Sequence, residues 1–197
     1  FAKRFKIISI LMEYIYKIVI LGDTSVGKSS ILYRYYHDKF NDNFETTIGA
    51  SFYSKDIMNI KFQMWDVAGQ ERYKSLTPMY YRNADIALII FDITNIETFT
   101  KAKYWINELE KYISTPIKNI LIGNKYDLIE NEKVSYNMIK EYCASNNLNF
   151  FYTSAKTNFN INEIFDYVAK FFLKSPKKKL PSSNIELIHH KKNLRCC

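Results

Sequence analysis

Residues 22–29 read GDTSVGKS, which sets two glycines, a lysine and a serine at the spacing G-x-x-x-x-G-K-[ST]. The chemistry open to such a loop is phosphate holding. A main chain running from Gly22 through Asp23, Thr24, Ser25 and Val26 to Gly27 can curl its N–H groups around a β-phosphate at the positive end of a helix. Lys28 then comes within reach of the β- and γ-phosphates. Ser29 offers a hydroxyl to Mg²⁺, which demands hard oxygen ligands, and Ser30 carries the chain into the helix. By itself this loop specifies neither which nucleotide nor which reaction.

The choice of base falls to NKYD at 124–127, which ends an apolar run where open α/β sheets bind ligands. The Asp127 carboxylate can accept from the ring N–H and the exocyclic amine of guanine together, a donor pair that adenine lacks. Two such charge-assisted bonds, at ~1.5 to 3 kcal/mol each, amount to a preference of ~10² to 10⁴. Asn124 can brace the neighbouring loops, and the stem of Lys125 can cover a base face. TSAK at 153–156 adds Ser154, Ala155 and Lys156, with the Ala155 N–H expected on the base carbonyl. WDVAGQE at 65–71 ends another strand: Asp66 is placed to hold Mg²⁺ through water, Gly69 to offer its N–H to the γ-phosphate, and Gln70 to orient an attacking water. Upstream, Thr47 in NFETTIGA can bring a hydroxyl and a carbonyl to the metal and γ-phosphate. Each tetrapeptide alone matches many ordinary turns. In this order after a phosphate loop they reinforce one another, with Lys28, Thr47, Gly69 and Gln70 as the expected catalytic group and Ser29, Thr47 and Asp66 as the expected Mg²⁺ ligands.

The elements that must position these residues are legible as runs and periods. YIYKIVIL at 14–21, IALIIFD at 86–92, NILIGN at 119–124 and NFFYTS at 149–154 are short, apolar and rich in β-branched or aromatic residues, as buried strands are. SFYSKDIMNIKFQMWD at 51–66 reads as a hairpin turning at Met58 and Asn59. Helices are predicted from Ile31, Leu32, Tyr35 and Tyr36, from Phe99 to Ile113, over about 134–146, and from Ile161 to Phe172; the stretch after residue 66 is predicted to be irregular. Strands alternating with helices predict an α/β fold: a mostly parallel, six-stranded sheet with one antiparallel edge strand and helices on both faces. Only five glycines occur in 197 residues, well below the usual ~7%, and all five fall in the segments just described.

The net charge of +8 suggests nucleic acid until it is located. Residues 1–11 hold +3 and residues 174–197 hold +6, which leaves the part between them at −1. A nucleic-acid-binding domain carries its basic face on the folded body, so the charge points to a tail meeting an anionic surface. Residues 12–174 are expected to be the folded domain, 1–11 an extension with Met12 as an alternative start, and 175–197 a basic linker-like tail. No apolar run approaches the roughly 18 residues of a membrane-spanning helix. Three cysteines, two of them the adjacent Cys196 and Cys197, make no disulfide framework, because neighbours are poorly shaped to bridge.

With these motifs in place the chain resembles a P-loop NTPase of the Ras superfamily, a small GTPase with a Ras-like G domain, over about residues 14–174. It is most similar to Rab proteins through IGASF, KFQMWD, RYKSLT, YYRNA and FDITN, and IGASF with SLTPMYYR is most similar to the early-endosomal subgroup. The resemblance implies slow, activator-stimulated hydrolysis of GTP to GDP and partners of four kinds: exchange factor, activating protein, effectors, and prenylation and extraction chaperones. It also implies a monomer without nucleic acid, and two geranylgeranyl groups on Cys196 and Cys197 for membrane residence. Phe52, Trp65 and Tyr80, which by residue type alone belong in a core, correspond to the aromatic triad that effectors read. Ile185 and Leu187 match the aliphatic signal gripped by the chaperones. Val67, Asn83 and Thr24 depart from the family pattern, and the Thr24 methyl is expected to crowd the attacking water. A small-molecule P-loop kinase, a GTP-holding scaffold with little turnover and a nuclear-transport GTPase are the alternatives.

Overall fold

A computed structural model describes residues 14–42, 45–113 and 117–174. The sequence expectations for 1–11, for the tail from 175 and for Ile185, Leu187, Cys196 and Cys197 lie outside the described residues.

The elements follow the predicted order: β1 Tyr14–Gly22, α1 Lys28–His37, β2 Ala50–Ile57, β3 Ile60–Val67, a 3₁₀ segment Glu71–Leu76, α2 Thr77–Tyr81, β4 Ile86–Asp92, α3 Ile96–Tyr112, β5 Lys118–Asn124, a 3₁₀ segment Tyr126–Asn131, α4 Tyr136–Ser145, β6 Asn149–Tyr152 and α5 Ile161–Lys174. One six-stranded sheet runs in the order β2-β3-β1-β4-β5-β6. Only the β2–β3 pair is antiparallel. Its two-residue turn puts Met58 at φ 51 and Asn59 at φ 62, the left-handed pair that matches strand twist and fixes the register Ile57↔Ile60.

Side chains of successive strand residues leave the sheet on opposite faces, so the apolar runs feed two cores. Ile18, Ile20, Leu88, Ile90 and Ile122 pack with Ile31 and Leu32 of α1 and with Ile161, Phe165, Val168 and Phe172 of α5. Val19, Leu21, Ile89, Phe91 and Leu121 pack with Tyr81 of α2, Phe99 and Ile106 of α3 and Ile139 of α4. All seven residues of β4 are buried, as a central parallel strand requires.

Two local outcomes differ from the sequence reading. The stretch after β3 is not wholly irregular: Pro78, at the first turn of α2, presets a helical φ. β6 stops at Tyr152, because Thr153 still donates to Gly123 O (2.8 Å) while Ser154 turns away to bridge Phe159. No helix among the described residues is long and apolar enough to cross a membrane.

Candidate functional site

The five parallel strands share one carboxyl edge, and the loops leaving it carry every motif. After β1, the phosphate loop reaches α1 through Gly27, whose φ is 95 and whose added Cβ would lie 2.2 Å from Asn124 Nδ2. That closeness is functional in the packing sense: Asn124 Nδ2 donates to Val26 O at 2.8 Å and so stitches the base loop to the phosphate loop. Ser25 adopts φ 60, a left-handed conformation that serine occupies only under constraint. Lys28 is 6% exposed, and its Nζ donates to Gly22 O (3.2 Å) and Asp23 O (2.6 Å). Burial pushes its pKa down to about 8, with the carboxylates of Asp66 and Asp23 pulling the other way. A buried ammonium held by carbonyls is a cation that a bound polyphosphate would satisfy.

Ser29, Thr47 and Asp66 converge. The strand register Ile20↔Asp66 brings that acid to the end of β1, where it is 1% exposed. Ser29 Oγ donates to Asp66 Oδ2, so its one hydroxyl hydrogen is used and Thr47 Oγ1, 2.9 Å away, donates to it. Among the described residues, Asp66 Oδ1 has no hydrogen-bond partner. Burial raises the Asp66 pKa, while the Ser29 hydrogen bond, Lys28 and Thr47 oppose the rise. Three clustered oxygen donors, one an unsatisfied buried carboxylate, form a set that a hard divalent cation such as Mg²⁺ fits.

Above this cluster lies a cavity of about 100 Å³ lined by Thr24, Ser25, Lys28, Ser29, Ser30, Thr47 and Gly69. Gly69 presses directly on the loop: a Cβ there would meet Asp23 C at 2.4 Å and Thr24 N at 2.5 Å. Gln70 is not brought in with them. Its Oε1 accepts from Arg72 Nε at 2.5 Å, and it borders a separate cavity of about 200 Å³ beside Lys101 and Trp105.

A third cavity, about 220 Å³, continues from Ser25 and Gly27 to Phe40, Asn124, Lys125, Asp127, Leu128, Ala155 and Lys156. Ser154 Oγ donates to Asp127 Oδ1 at 2.5 Å, which orients the exposed carboxylate. Lys125, at φ 69, is steered by a 2.6 Å ion pair between its Nζ and Asp92 Oδ2. The Ala155 N–H, expected on a base carbonyl, donates instead to Asn124 Oδ1 at 3.3 Å, an acceptor shared with the Thr153 hydroxyl. With residues 17–174 the chain matches the family model described as the Ras family. The chain belongs to the Ras family. It is therefore a small GTPase, and the two adjoining cavities are where the phosphates and base of its nucleotide are expected.

The small GTPase also holds residues that the sequence reading passed over. Phe40 lines the base cavity and Asp92 anchors Lys125, but neither is given a role by the sequence: Phe40 is one of 14 phenylalanines, and Asp92 falls in FDITN, a stretch that marks the resemblance without pointing to a ligand. The three aromatics assigned by resemblance form a strip that starts at the surface and reaches the core, with Trp65 and Tyr80 half-buried against it. Phe52 is 51% exposed, its ring lies 5.1 Å from Trp65, and Trp65 lies 5.7 Å from Tyr80. Asn83 adopts φ 57, which explains why the family pattern places glycine there and why asparagine is the tolerated departure.

Proposed function

We propose that this small GTPase is a Rab-type switch that hydrolyses GTP and recruits effectors to the cytoplasmic face of a membrane in vesicular trafficking, at the early endosome. The observation that carries the reading is the half-exposed strip Phe52–Trp65–Tyr80. It joins β2 and β3, the strands that connect residues 45–47 to Gly69 at the phosphate cavity, to α2 just beyond Gly69. A γ-phosphate contacted by Thr47 and Gly69 would order both segments at once and fix the strip; loss of that phosphate would release it.

In this reading Lys28 and the loop N–H groups of residues 22–29 hold the phosphates, and Asp127, Lys125 and Ser154 hold the base. Ser29, Thr47 and Asp66 would hold Mg²⁺, which when bound neutralises charge on the phosphate oxygens. Gln70 turns from Arg72 toward the γ-phosphate and orients a water, whose attack on phosphorus breaks the bond to GDP and yields phosphate. The basic tail and the terminal Cys196 and Cys197 are proposed as a doubly geranylgeranylated anchor, since one lipid chain alone gives only marginal membrane residence.

A second reading, a GTP-holding scaffold with little turnover, is favoured by the position of Gln70 outside the phosphate cavity and of Thr24 inside it. Single-turnover phosphate release decides between them. The switch reading expects slow release that a cognate activating protein accelerates and that Gln70→Leu slows on the order of 10- to 100-fold. Release unaffected by either would establish the scaffold. A fluorescently tagged chain with Cys196 and Cys197 replaced by Ser is expected to leave endosomal membranes for the cytosol; unchanged localisation would remove the anchor.

A further inference from the structure

We propose that Arg34 is a positioning residue for the base end of the site, a clamp that sets how long and how selectively guanine nucleotide is held; the proposal rests on the guanine-nucleotide reading above. Arg34 lies on α1, the helix that begins in the phosphate loop, and its side chain is 13% exposed. Its guanidinium joins three main-chain carbonyls. Nε donates to Ala155 O at 2.8 Å, Nη2 to Lys156 O at 2.8 Å and Nη1 to Asp38 O at 2.8 Å.

Two of those acceptors lie in the wall of the base cavity, and the third lies on the chain that leads into it. Ala155 and Lys156 line it from the loop after β6. Asp38, at φ 51, caps the C-terminus of α1 two residues before Phe40, which also lines the cavity. Asn158 Nδ2 adds an outer stitch to Asp38 Oδ1 at 3.1 Å. Arg34 therefore fixes the width of a cavity that it does not itself line. From Ala155 its influence passes one residue back to Ser154, whose hydroxyl holds the Asp127 carboxylate at 2.5 Å. The forked, planar guanidinium is what allows one side chain to serve three divergent carbonyls; a lysine ammonium on a single stem cannot. Removing it leaves the carbonyls unpaired and frees the loop that aims the base-reading carboxylate.

The test loads the purified full chain with fluorescently labelled GDP or IDP and follows release after dilution into excess unlabelled nucleotide. Inosine lacks the exocyclic amine that Asp127 reads, so the GDP-to-IDP ratio reports on the aim of that carboxylate. Arg34→Ala is expected to speed GDP release about tenfold, roughly the worth of one charge-assisted hydrogen bond, with Arg34→Lys in between. The preference for GDP over IDP should fall by a similar factor. The acceleration should persist after Mg²⁺ is chelated, because the clamp acts at the opposite end of the nucleotide. Unchanged release, equal acceleration of GDP and IDP, or an acceleration that vanishes on chelation would each overturn the clamp. A wild-type chain that retains neither nucleotide would instead overturn the guanine reading, and the clamp with it. Should Arg34→Ala fail to fold, Asn158→Gly, which keeps the left-handed φ of 66 at that position accessible, removes the outer stitch and is expected to speed release about two- to threefold with the same loss of GDP preference; no change in that variant would likewise overturn the clamp.

Discussion

Asp127, the proposed reader of the base, has one carboxylate oxygen already engaged, since Oδ1 takes the Ser154 hydroxyl at 2.5 Å. A carboxylate has about four acceptor sites, so this bond orients the group without exhausting it. Asp127→Asn replaces one acceptor oxygen with a donor. The variant should lose ~10² to 10⁴ in GTP affinity and gain affinity for xanthosine triphosphate, which isothermal titration would measure directly. At this scale the motif residues were legible because Lys28, Ser29, Asn124 and Asp127 stand at fixed local spacings. The residues that support them were not. Arg34 meets Ala155 across 121 positions of sequence, and the Ala155 N–H goes to Asn124 across 31, distances at which no spacing signal survives. Gln70 was legible by type, but its contact with Arg72 depends on a 3₁₀ turn that carries no sequence period.

Strands and long helices were legible for the opposite reason: their side chains face a core at regular intervals. Ile161, Ile164, Phe165, Val168 and Phe172 of α5 and the seven buried residues of β4 repeat the apolar pattern that burial demands. Five-residue α2 is too short to show such a period, and its start rests on Pro78 alone. The turn that follows it depends on Asn83 at φ 57. Asn83→Ala should cost on the order of 1 to 2 kcal/mol of unfolding free energy with GDP bound, and Asn83→Gly should be close to neutral. Urea denaturation of the three proteins under identical nucleotide would show the difference; equal midpoints for alanine and glycine would remove the turn from the account.

In the whole molecule, two apolar faces hold one sheet while its carboxyl edge gathers charges that nothing among the described residues fully satisfies: the Lys28 ammonium among carbonyls and the unpartnered Asp66 Oδ1. The folded chain should therefore depend strongly on its ligand. Saturating Mg²⁺ and GDP at about 1,000 times Kd would add ~4 kcal/mol, which for a domain of this size raises Tm by roughly 8 to 16 °C. Thermal scans before and after chelation and nucleotide stripping would show that shift. Fold and family agree over residues 17–174, and the central expectation they share is a preference for one purine. The most direct test strips the purified protein of nucleotide and lets unlabelled ATP or GTP compete against labelled GTP at millimolar Mg²⁺. The account predicts that GTP competes at least ~10²-fold better than ATP. Equal competition by the two would contradict it.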